Sequence, residues 1–287
     1  MKIKHLKFAL INNIISATVF VRKIKARQLC HLESFGKLIM NIKTRSLIVL
    51  CLAHFFILTG CQRITSDTGK ILKPACQNLT AGYSIGNRPI EYFVMGTGGD
   101  VIFIMGAIHG DEPASAVLVK ATLEHLRSNP QLLNGRKVIL MPVANPDGLA
   151  ANNRFNARGI DLNRNFKAVN RINKPEYGTA GLSEPESVAI KKLLLKYKPD
   201  RILSLHQPFA CIDYDGPASD IALKMGQHCE LEVKKLGARP GSLGSYAGVT
   251  LDIPIITVEL RESDASLGEE EMWQCYGKMM LAAIIYP

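Results

Sequence analysis

Acidic residues are nearly missing from the first 60 positions of this 287-residue chain. That segment holds ten Lys or Arg residues and a single acid, Glu33, so it carries +9 of the formal charge of +10. The remaining 227 residues are almost neutral, with 25 basic and 24 acidic side chains. Because nucleic-acid-binding domains present basic patches, the sequence predicts no nucleic-acid partner.

Internal repeats, low-complexity segments and paired cysteine motifs are also missing. None of the four cysteines after residue 61 belongs to a C-x-x-C or C-x-x-H pair, which argues against a cysteine metal site. They are Cys76, Cys211, Cys229 and Cys275. Two disulfides and four buried free thiols both remain open. With 47% hydrophobic residues, the chain can bury a large core, which excludes a disordered protein and predicts one domain.

The basic leader has the layout of an export signal. Lys43 and Arg45 precede an apolar run at residues 46–58, and small residues lead to Cys61. This layout is typical of secretory signals, and the run is short for a membrane span. Residues 58–61 also resemble the bacterial lipoprotein box, which makes Cys61 the expected lipidation site. An N-terminal transmembrane anchor, helped by the apolar residues 8–21, is the alternative.

The leader predicts where the protein resides. Sixty residues are long for a signal, whereas a start at Met40 leaves an ordinary length before the cysteine. Gln62 stands where an aspartate would favour inner-membrane retention, so we expect an exported, lipid-anchored periplasmic protein at the outer membrane. Residues 61–79 are polar and predict a tether, followed by a domain over residues 80–287.

Strand-like and helix-like segments alternate within this domain. Short β-branched runs predict strands at 90–95, 101–105, 137–143, 201–205 and 254–260. Amphipathic segments predict helices at 113–127, 184–197, 219–236 and 266–285, the second with a capping box at Ser183. The alternation predicts an α/β domain with a mixed, largely parallel twisted sheet covered by helices on both faces.

Polar side chains at the ends of three predicted strands suggest a metal site. His109 and Glu112 follow one strand, His206 ends a second and Glu259 ends a third. Ligand sites in such sheets lie at the carboxyl ends of strands, and two His with one Glu can hold a catalytic Zn²⁺. Glu259 could then take a proton from zinc-bound water. The sequence predicts one zinc ion per chain.

The loop at residues 154–166 is rich in arginine and asparagine. Arginine recognises carboxylates in a bidentate manner, and near zinc it can stabilise an oxyanion. Such composition ordinarily means a solvated loop, but the zinc residues on both sides favour a substrate-binding loop.

Together these segments resemble the M14 zinc carboxypeptidase family. The matching motifs are H-G-D-E at 109–112, R-x-N-x-x-G-I-D-L-N-R-N-F at 154–166, S-L-H at 204–206 and T-V-E-L-R at 257–261. Residues 204–212 and 240–246 are similar to the murein peptide amidases of that family. The resemblance implies a zinc carboxypeptidase-like fold and hydrolysis of the γ-D-glutamyl to meso-diaminopimelate bond of murein peptides, with release of the C-terminal residue.

The resemblance also assigns roles to single residues. It makes Glu259 the general base and acid, and Arg154 the group that stabilises the oxyanion. Asn163 and Arg164 would bind the terminal carboxylate of the substrate. The implied zinc ligands are His109, Glu112 and His206.

Two positions depart from the family pattern. No tyrosine matches the substrate-capping tyrosine expected shortly before Gly241, and Tyr246 is the candidate to replace it in substrate binding. Gln207 stands where the murein peptide amidases usually have an acidic residue after the third ligand.

Two other functions fit parts of the pattern. N-acyl amino acid deacylases of the aspartoacylase and succinylglutamate desuccinylase type have similar zinc and D-L-N-R motifs, but Arg154-x-Asn156 favours the peptidase. A non-catalytic binding lipoprotein would be expected to lack a ligand or the base, and this chain has them all.

Overall fold

The computed structural model describes residues 76–286 and builds an eight-stranded sheet from them. The strands are β1 (Gln77–Tyr83), β2 (Pro89–Met95), β3 (Asp100–Met105), β4 (Arg136–Met141), β5 (Arg201–His206), β6 (Phe209–Asp215), β7 (Glu232–Val233) and β8 (Ile255–Arg261). Their spatial order is β1-β2-β4-β3-β5-β8-β6-β7. Strands β4, β3, β5 and β8 run parallel, whereas β2 and β6 are antiparallel to their neighbours β4 and β8. The predicted mixed sheet with a parallel centre is confirmed.

Helices cover both faces of this sheet, as expected. They are α1 (Pro113–Ser128), α2 (Pro146–Ala151), α3 (Pro185–Tyr197), α4 (Ser219–Gly226) and α5 (Glu269–Ile284), with a π-helix at Ser245–Thr250. Side chains of α1, α4 and α5 form a core on one face, and those of α3 form a core on the other.

The central strand β3 shows why this region is strongly apolar in sequence. Ile102 and Ile104 point into the core with α1 and α5, whereas Val101, Phe103 and Met105 point into the core with α3. Each is buried, and burial of one such side chain stabilises the fold by about 1.5–3 kcal/mol. A strand that is buried on both faces therefore shows a continuous apolar run instead of alternating polar and apolar residues.

The turn from β3 into α1 carries two of the predicted zinc ligands. At Gly110 the chain passes so close to α2 that a Cβ atom would overlap the backbone of Gly148. Pro113 then starts α1 at a position where no backbone N–H is needed. The chain can therefore reverse directly at the end of β3 while His109 and Glu112 remain buried.

Several elements differ from the sequence predictions. The helix predicted to reach residue 236 ends at Gly226, and Glu232–Val233 pair with β6 instead. Ser183 does not cap α3, because Glu184 is the N-cap residue and Pro185 begins the helix. Strands β1 and β6 were not predicted. Because β1 begins at Gln77, the folded domain starts before the predicted boundary at residue 80.

The four described cysteines are free thiols, and Cys275 is exposed. Neither two disulfides nor four buried thiols therefore describes this structure. Within residues 76–286, no helix combines the length and the hydrophobicity needed to cross a membrane. The predicted leader, the start at Met40 and the lipidation site Cys61 lie outside the described residues.

Candidate active site

Three buried side chains from two neighbouring strands converge at the carboxyl end of the sheet. His109 and Glu112 follow β3, and His206 ends β5, which pairs with β3 in parallel. Glu112 Oε1 lies 2.7 Å from His109 Nδ1, and Glu112 Oε2 lies 2.9 Å from His206 Nδ1. One donor atom from each residue lies within 4.8 Å of the others. The structure thus brings the three predicted ligands together.

His109 is oriented by Asp161, whose carboxylate oxygen Oδ1 lies 3.0 Å from His109 Nε2. Burial alone would raise the pKa of Asp161, but the contact with His109 and the charges of Arg154 and Arg164 lower it to about 2. Burial likewise opposes charge on His109, yet Asp161 and Glu112 raise the pKa of His109 to about 9. The two carboxylates around His109 therefore strongly favour a positive charge at this position.

Glu259 lies beside these donors on β8. The pairing of β5 with β8 aligns His206 with Glu259. Glu259 is buried, and its Oε2 atom has no hydrogen-bond partner within the described part of the chain. Burial raises the pKa of Glu259; the charge of His206 opposes this and that of Glu112 adds to it. An unpartnered carboxylate oxygen of raised basicity in a cleft suits proton transfer.

Arg154 reaches the same place from the loop after α2. Its Nε and Nη2 atoms donate to Asp161 Oδ2 at 3.3 and 3.2 Å, and Nη1 lies 3.5 Å from Glu112 Oε1. Its side chain is still 37% exposed, and it lines the cleft. The guanidinium is therefore fixed by Asp161 while part of it faces solvent.

Asn163 and Arg164 lie on a short 3₁₀ helix capped by Asp161. The side-chain oxygen of Asn163 accepts a hydrogen bond from the Leu243 N–H at 2.9 Å, and Nδ2 lies 3.4 Å from His206 Nε2. Among the described residues, the Arg164 side chain donates only to the Asn163 carbonyl, at 2.6 Å. Most of its five N–H donors therefore remain for an anion.

One cleft of about 480 Å³ is lined by the three donors together with Arg154, Asn163, Arg164 and Glu259. Metal donors, a basic carboxylate and two arginines thus face a space large enough for a short peptide segment.

Comparison with known proteins places this arrangement in a family. A family model described as zinc carboxypeptidase matches residues 72–214. Murein peptide amidase A of Escherichia coli K12 is 34% identical over 174 residues, which cover 54% of this chain and 69% of that protein. Murein peptide amidase A of Vibrio campbellii is 32% identical over 186 residues, covering 58% and 72%.

The chain belongs to the zinc carboxypeptidase family.

Solved structures share the zinc carboxypeptidase fold. The murein-tripeptide amidase from Escherichia coli O157 superposes with a TM-score of 0.57 at 27% identity, over 72% of this chain and 90% of that one. Carboxypeptidase A from Helicoverpa armigera superposes with a TM-score of 0.61 at 19% identity, over 74% and 69%. The predicted fold and the predicted class, a hydrolytic enzyme, are confirmed.

The donor set of this zinc carboxypeptidase fits zinc. Two imidazole nitrogens and a carboxylate, with room for a further ligand, are a common catalytic zinc set. Zinc-bound histidines usually contact a carboxylate or carbonyl oxygen through the other ring nitrogen, and Asp161 occupies that position on His109. On His206 the corresponding nitrogen lies 3.1 Å from Ser204 Oγ.

Tyr246 does not face the cleft. It lies in the π-helix, is buried, and stacks on Phe166 with ring centroids 5.8 Å apart. The expectation that Tyr246 contacts substrate is therefore wrong, and its role is packing.

Gln207 has a structural reason for being neutral. Its Oε1 atom accepts a hydrogen bond from the Ala114 N–H in the first turn of α1 at 3.1 Å, and its Nε2 atom donates to the Arg261 carbonyl at 3.0 Å. An ionised acid could accept the first bond but could not donate the second. Gln207 therefore ties α1 to the end of β8 beside the metal donors.

Asp161 is the site residue that the sequence reasoning missed. The signal was available, because a histidine ligand requires a partner for its second nitrogen. Asp161 is the single acid in the loop at 154–166.

Proposed function

We propose that this enzyme hydrolyses the amide bond between γ-D-glutamate and meso-diaminopimelate in murein peptides and releases the C-terminal residue. The observation that carries the proposal is the convergence of the zinc donor set, Glu259 and Arg164 in one cleft. The substrate class is supported by the murein peptide amidases among its relatives.

One zinc ion per chain fits the donor set of His109, Glu112 and His206. When bound there, zinc polarises the scissile carbonyl and lowers the pKa of a water molecule. Glu259 takes a proton from the attacking water through its unpartnered Oε2 atom and passes the proton to the leaving amine.

Two arginines bind different negatively charged groups of the substrate. Arg154, held by Asp161 next to Glu112, donates to the carbonyl oxygen as negative charge develops on it. Arg164 binds the terminal carboxylate of the substrate with its unused N–H donors, together with Asn163. The Asn163 carbonyl also accepts a hydrogen bond from Arg164 and so orients the guanidinium.

The tripeptide L-Ala-γ-D-Glu-meso-diaminopimelate tests this proposal. The zinc-loaded protein should release diaminopimelate, and a chelator should stop the release. Glu259→Gln should keep its zinc and lose at least about a hundredfold in kcat. Glu262→Gln, an exposed neighbour, is the matched control. If protein with confirmed bound zinc releases no diaminopimelate, the substrate assignment is wrong. If Glu259→Gln keeps full activity, the proposed role of Glu259 is wrong.

N-acetyl and N-succinyl amino acids belong in the same panel. A deacylase would hydrolyse them and leave the tripeptide intact. The proposed amidase should show the opposite preference.

We further propose that the protein is exported and attached to the outer membrane through a lipid on Cys61. The basic leader, its apolar run and the lipobox-like residues 58–61 support this. Labelled palmitate should enter the wild-type protein and a Cys51→Ala control, and labelling should be lost in Cys61→Ala. An uncut and unlabelled leader would instead indicate a transmembrane anchor.

A further inference from the structure

The start of α3 holds the near end of the loop at 154–166. Asn156 Nδ2 donates one hydrogen bond to Glu184 Oε2 at 2.9 Å and another to Glu186 Oε2 at 3.3 Å. All three side chains are buried. The two acids at the start of this helix therefore face the loop and not the solvent.

The far end of the same loop is tied to the same place. Asn165 Nδ2 donates to Ser183 Oγ at 2.9 Å, and Asn165 Oδ1 accepts from the Glu184 N–H at 3.2 Å. Ser183 Oγ in turn lies 2.9 Å from Glu184 Oε1, to which it donates. Ser183 and Glu186, which have the sequence pattern of a capping box, thus bind the loop together with Glu184. We call these three residues the clamp.

Asn156 uses the full hydrogen-bonding capacity of its side chain here. While Nδ2 donates to the clamp, Oδ1 accepts from the N–H groups of Arg158 and Ile160, each at 3.0 Å. The backbone of Asn156 also exchanges hydrogen bonds with Ile160 and Gly159. Residues 156–160 therefore form a closed turn whose position follows that of the Asn156 side chain.

The residues on either side of this turn belong to the active site. Arg154 lies two positions before Asn156, and Asp161 directly follows Ile160. Arg154 Nε and Nη2 donate to Asp161 Oδ2 across the base of the turn, at 3.3 and 3.2 Å. Asp161 Oδ1 contacts His109 at 3.0 Å. The place of the turn thus sets the place of the guanidinium and of the partner of a zinc donor.

Holding one amide with two buried acids is destabilising in itself. Arg158, with a side chain that is 56% exposed, lies 3.6 Å from Glu184 Oε2. Burial raises the pKa of Glu186 and the charge of Glu184 adds to this, whereas hydrogen bonds such as that from Asn156 oppose it. Buried charges of like sign cost stability, and proteins tolerate such conflicts chiefly where function requires them.

We propose that Glu184 and Glu186 are positioning residues that act through Asn156. They hold Arg154 and Asp161 where oxyanion stabilisation and zinc binding require them. The inference rests on the proposed hydrolysis, in which Arg154 binds the developing oxyanion. Neither acid is among the residues that line the cleft, so their effect on catalysis passes through one buried amide.

Asn156→Asp tests the clamp. The new carboxylate still accepts from the N–H groups of Arg158 and Ile160 but places a negative charge against the two acids. Displacement of Arg154 should lower kcat for the tripeptide at least about tenfold, since a misplacement of about 1 Å can cost about a hundredfold. KM should change less, because the residues that bind the terminal carboxylate lie outside the turn. The zinc affinity of metal-stripped protein should also fall, because Asp161 moves with the turn.

Reversing the polarity of the clamp provides a rescue. In Asn156→Asp/Glu184→Gln/Glu186→Gln, both glutamine amides can donate to the new carboxylate. Their Oε1 atoms still accept from Ser183 Oγ and from the Ile85 N–H, as the glutamates do. Donors and acceptors are exchanged and each hydrogen bond is kept. The triple variant should recover most of the kcat and zinc affinity that Asn156→Asp loses, whereas Glu184→Gln/Glu186→Gln alone should remain impaired.

Thr122→Val is the matched control for lost stability. Thr122 is buried on α1, where its Oγ1 atom donates to the Leu118 carbonyl at 2.8 Å. The variant should lower the urea midpoint and leave kcat and zinc affinity unchanged. A folded Asn156→Asp protein that loses stability alone, or a folded triple variant that recovers neither quantity, would overturn the clamp. Glu186→Gln, which removes one acceptor atom, replaces any variant that does not fold and must show the same losses.

The two proposals fail separately. If zinc-loaded wild-type protein releases no diaminopimelate, the murein substrate is rejected, and the zinc titrations still decide on the clamp. If wild-type protein releases it and Asn156→Asp keeps the same kcat and zinc affinity, the clamp is rejected and the amidase stands.

Discussion

Replacing Asp161 with asparagine should weaken zinc binding without unfolding the protein. Asparagine has the same shape, so the acceptor for the Asn163 N–H at 2.9 Å is kept. The negative charge 3.0 Å from His109 Nε2 is lost. Loss of such a partner typically weakens metal binding about 10- to 100-fold. Because Asp161 also holds Arg154 through two contacts, we expect the upper part of that range, about 2–3 kcal/mol.

The assay is a zinc titration of metal-stripped protein against a competing chromogenic chelator. Asp147→Asn is the matched control, since Asp147 is also a buried aspartate paired with an arginine, Arg88, at 2.6 Å. The Asp147 variant should bind zinc as the wild type does. A zinc dissociation constant within about twofold of wild type in folded Asp161→Asn protein would refute the reasoning, because the expected loss is at least about tenfold.

Two further predictions concern stability. Arg201→Met should lower the free energy of unfolding by about 3 kcal/mol. The buried Arg201 guanidinium donates to both Asp100 carboxylate oxygens, at 2.7 and 3.0 Å, and to the last carbonyls of α5. An unchanged urea midpoint would contradict this prediction. Burial and the hydrogen bond to Asp264 at 2.6 Å raise the pKa of Tyr276 above its usual 10.0, so the unfolded chain loses this proton first. The contribution of Tyr276 is therefore fully present below pH 10 and should fall by about 1.4 kcal/mol per pH unit above it. Tyr276→Phe should lack this slope and exposed Tyr83→Phe should keep it; equal slopes in urea melts would reject the assignment.

The centre of the sheet and the metal donors could be predicted from sequence for one physical reason. Strands β3, β5 and β8 are enclosed by other elements and appear as apolar runs, so the polar residues that end them stand out. His206 and Glu259 are therefore recognisable from the order of residues alone. Parallel pairing then brings such strand ends to one edge of the sheet.

The rest of the site could not be predicted in this way. Strand β6 has polar side chains directed into the cleft, so Asp213 and Asp215 interrupt its apolar pattern. The predicted helix at 219–236 ran too far because the pairing of β7 with β6 is a tertiary contact. Tyr246 was chosen for its place near Gly241 in the sequence, which does not reveal that its ring stacks on Phe166.

The two histidines of the donor set, His109 and His206, are far apart in the sequence. Helices α1, α2 and α3 and strand β4 lie between them. Before β3 and β5 pair, the chain offers zinc only the adjacent His109 and Glu112. The metal therefore binds the native chain far more tightly than the unfolded one, and its binding energy adds to the stability of the fold. We therefore expect a chain with a filled donor set to unfold less often, and to survive proteases longer, than a chain without metal.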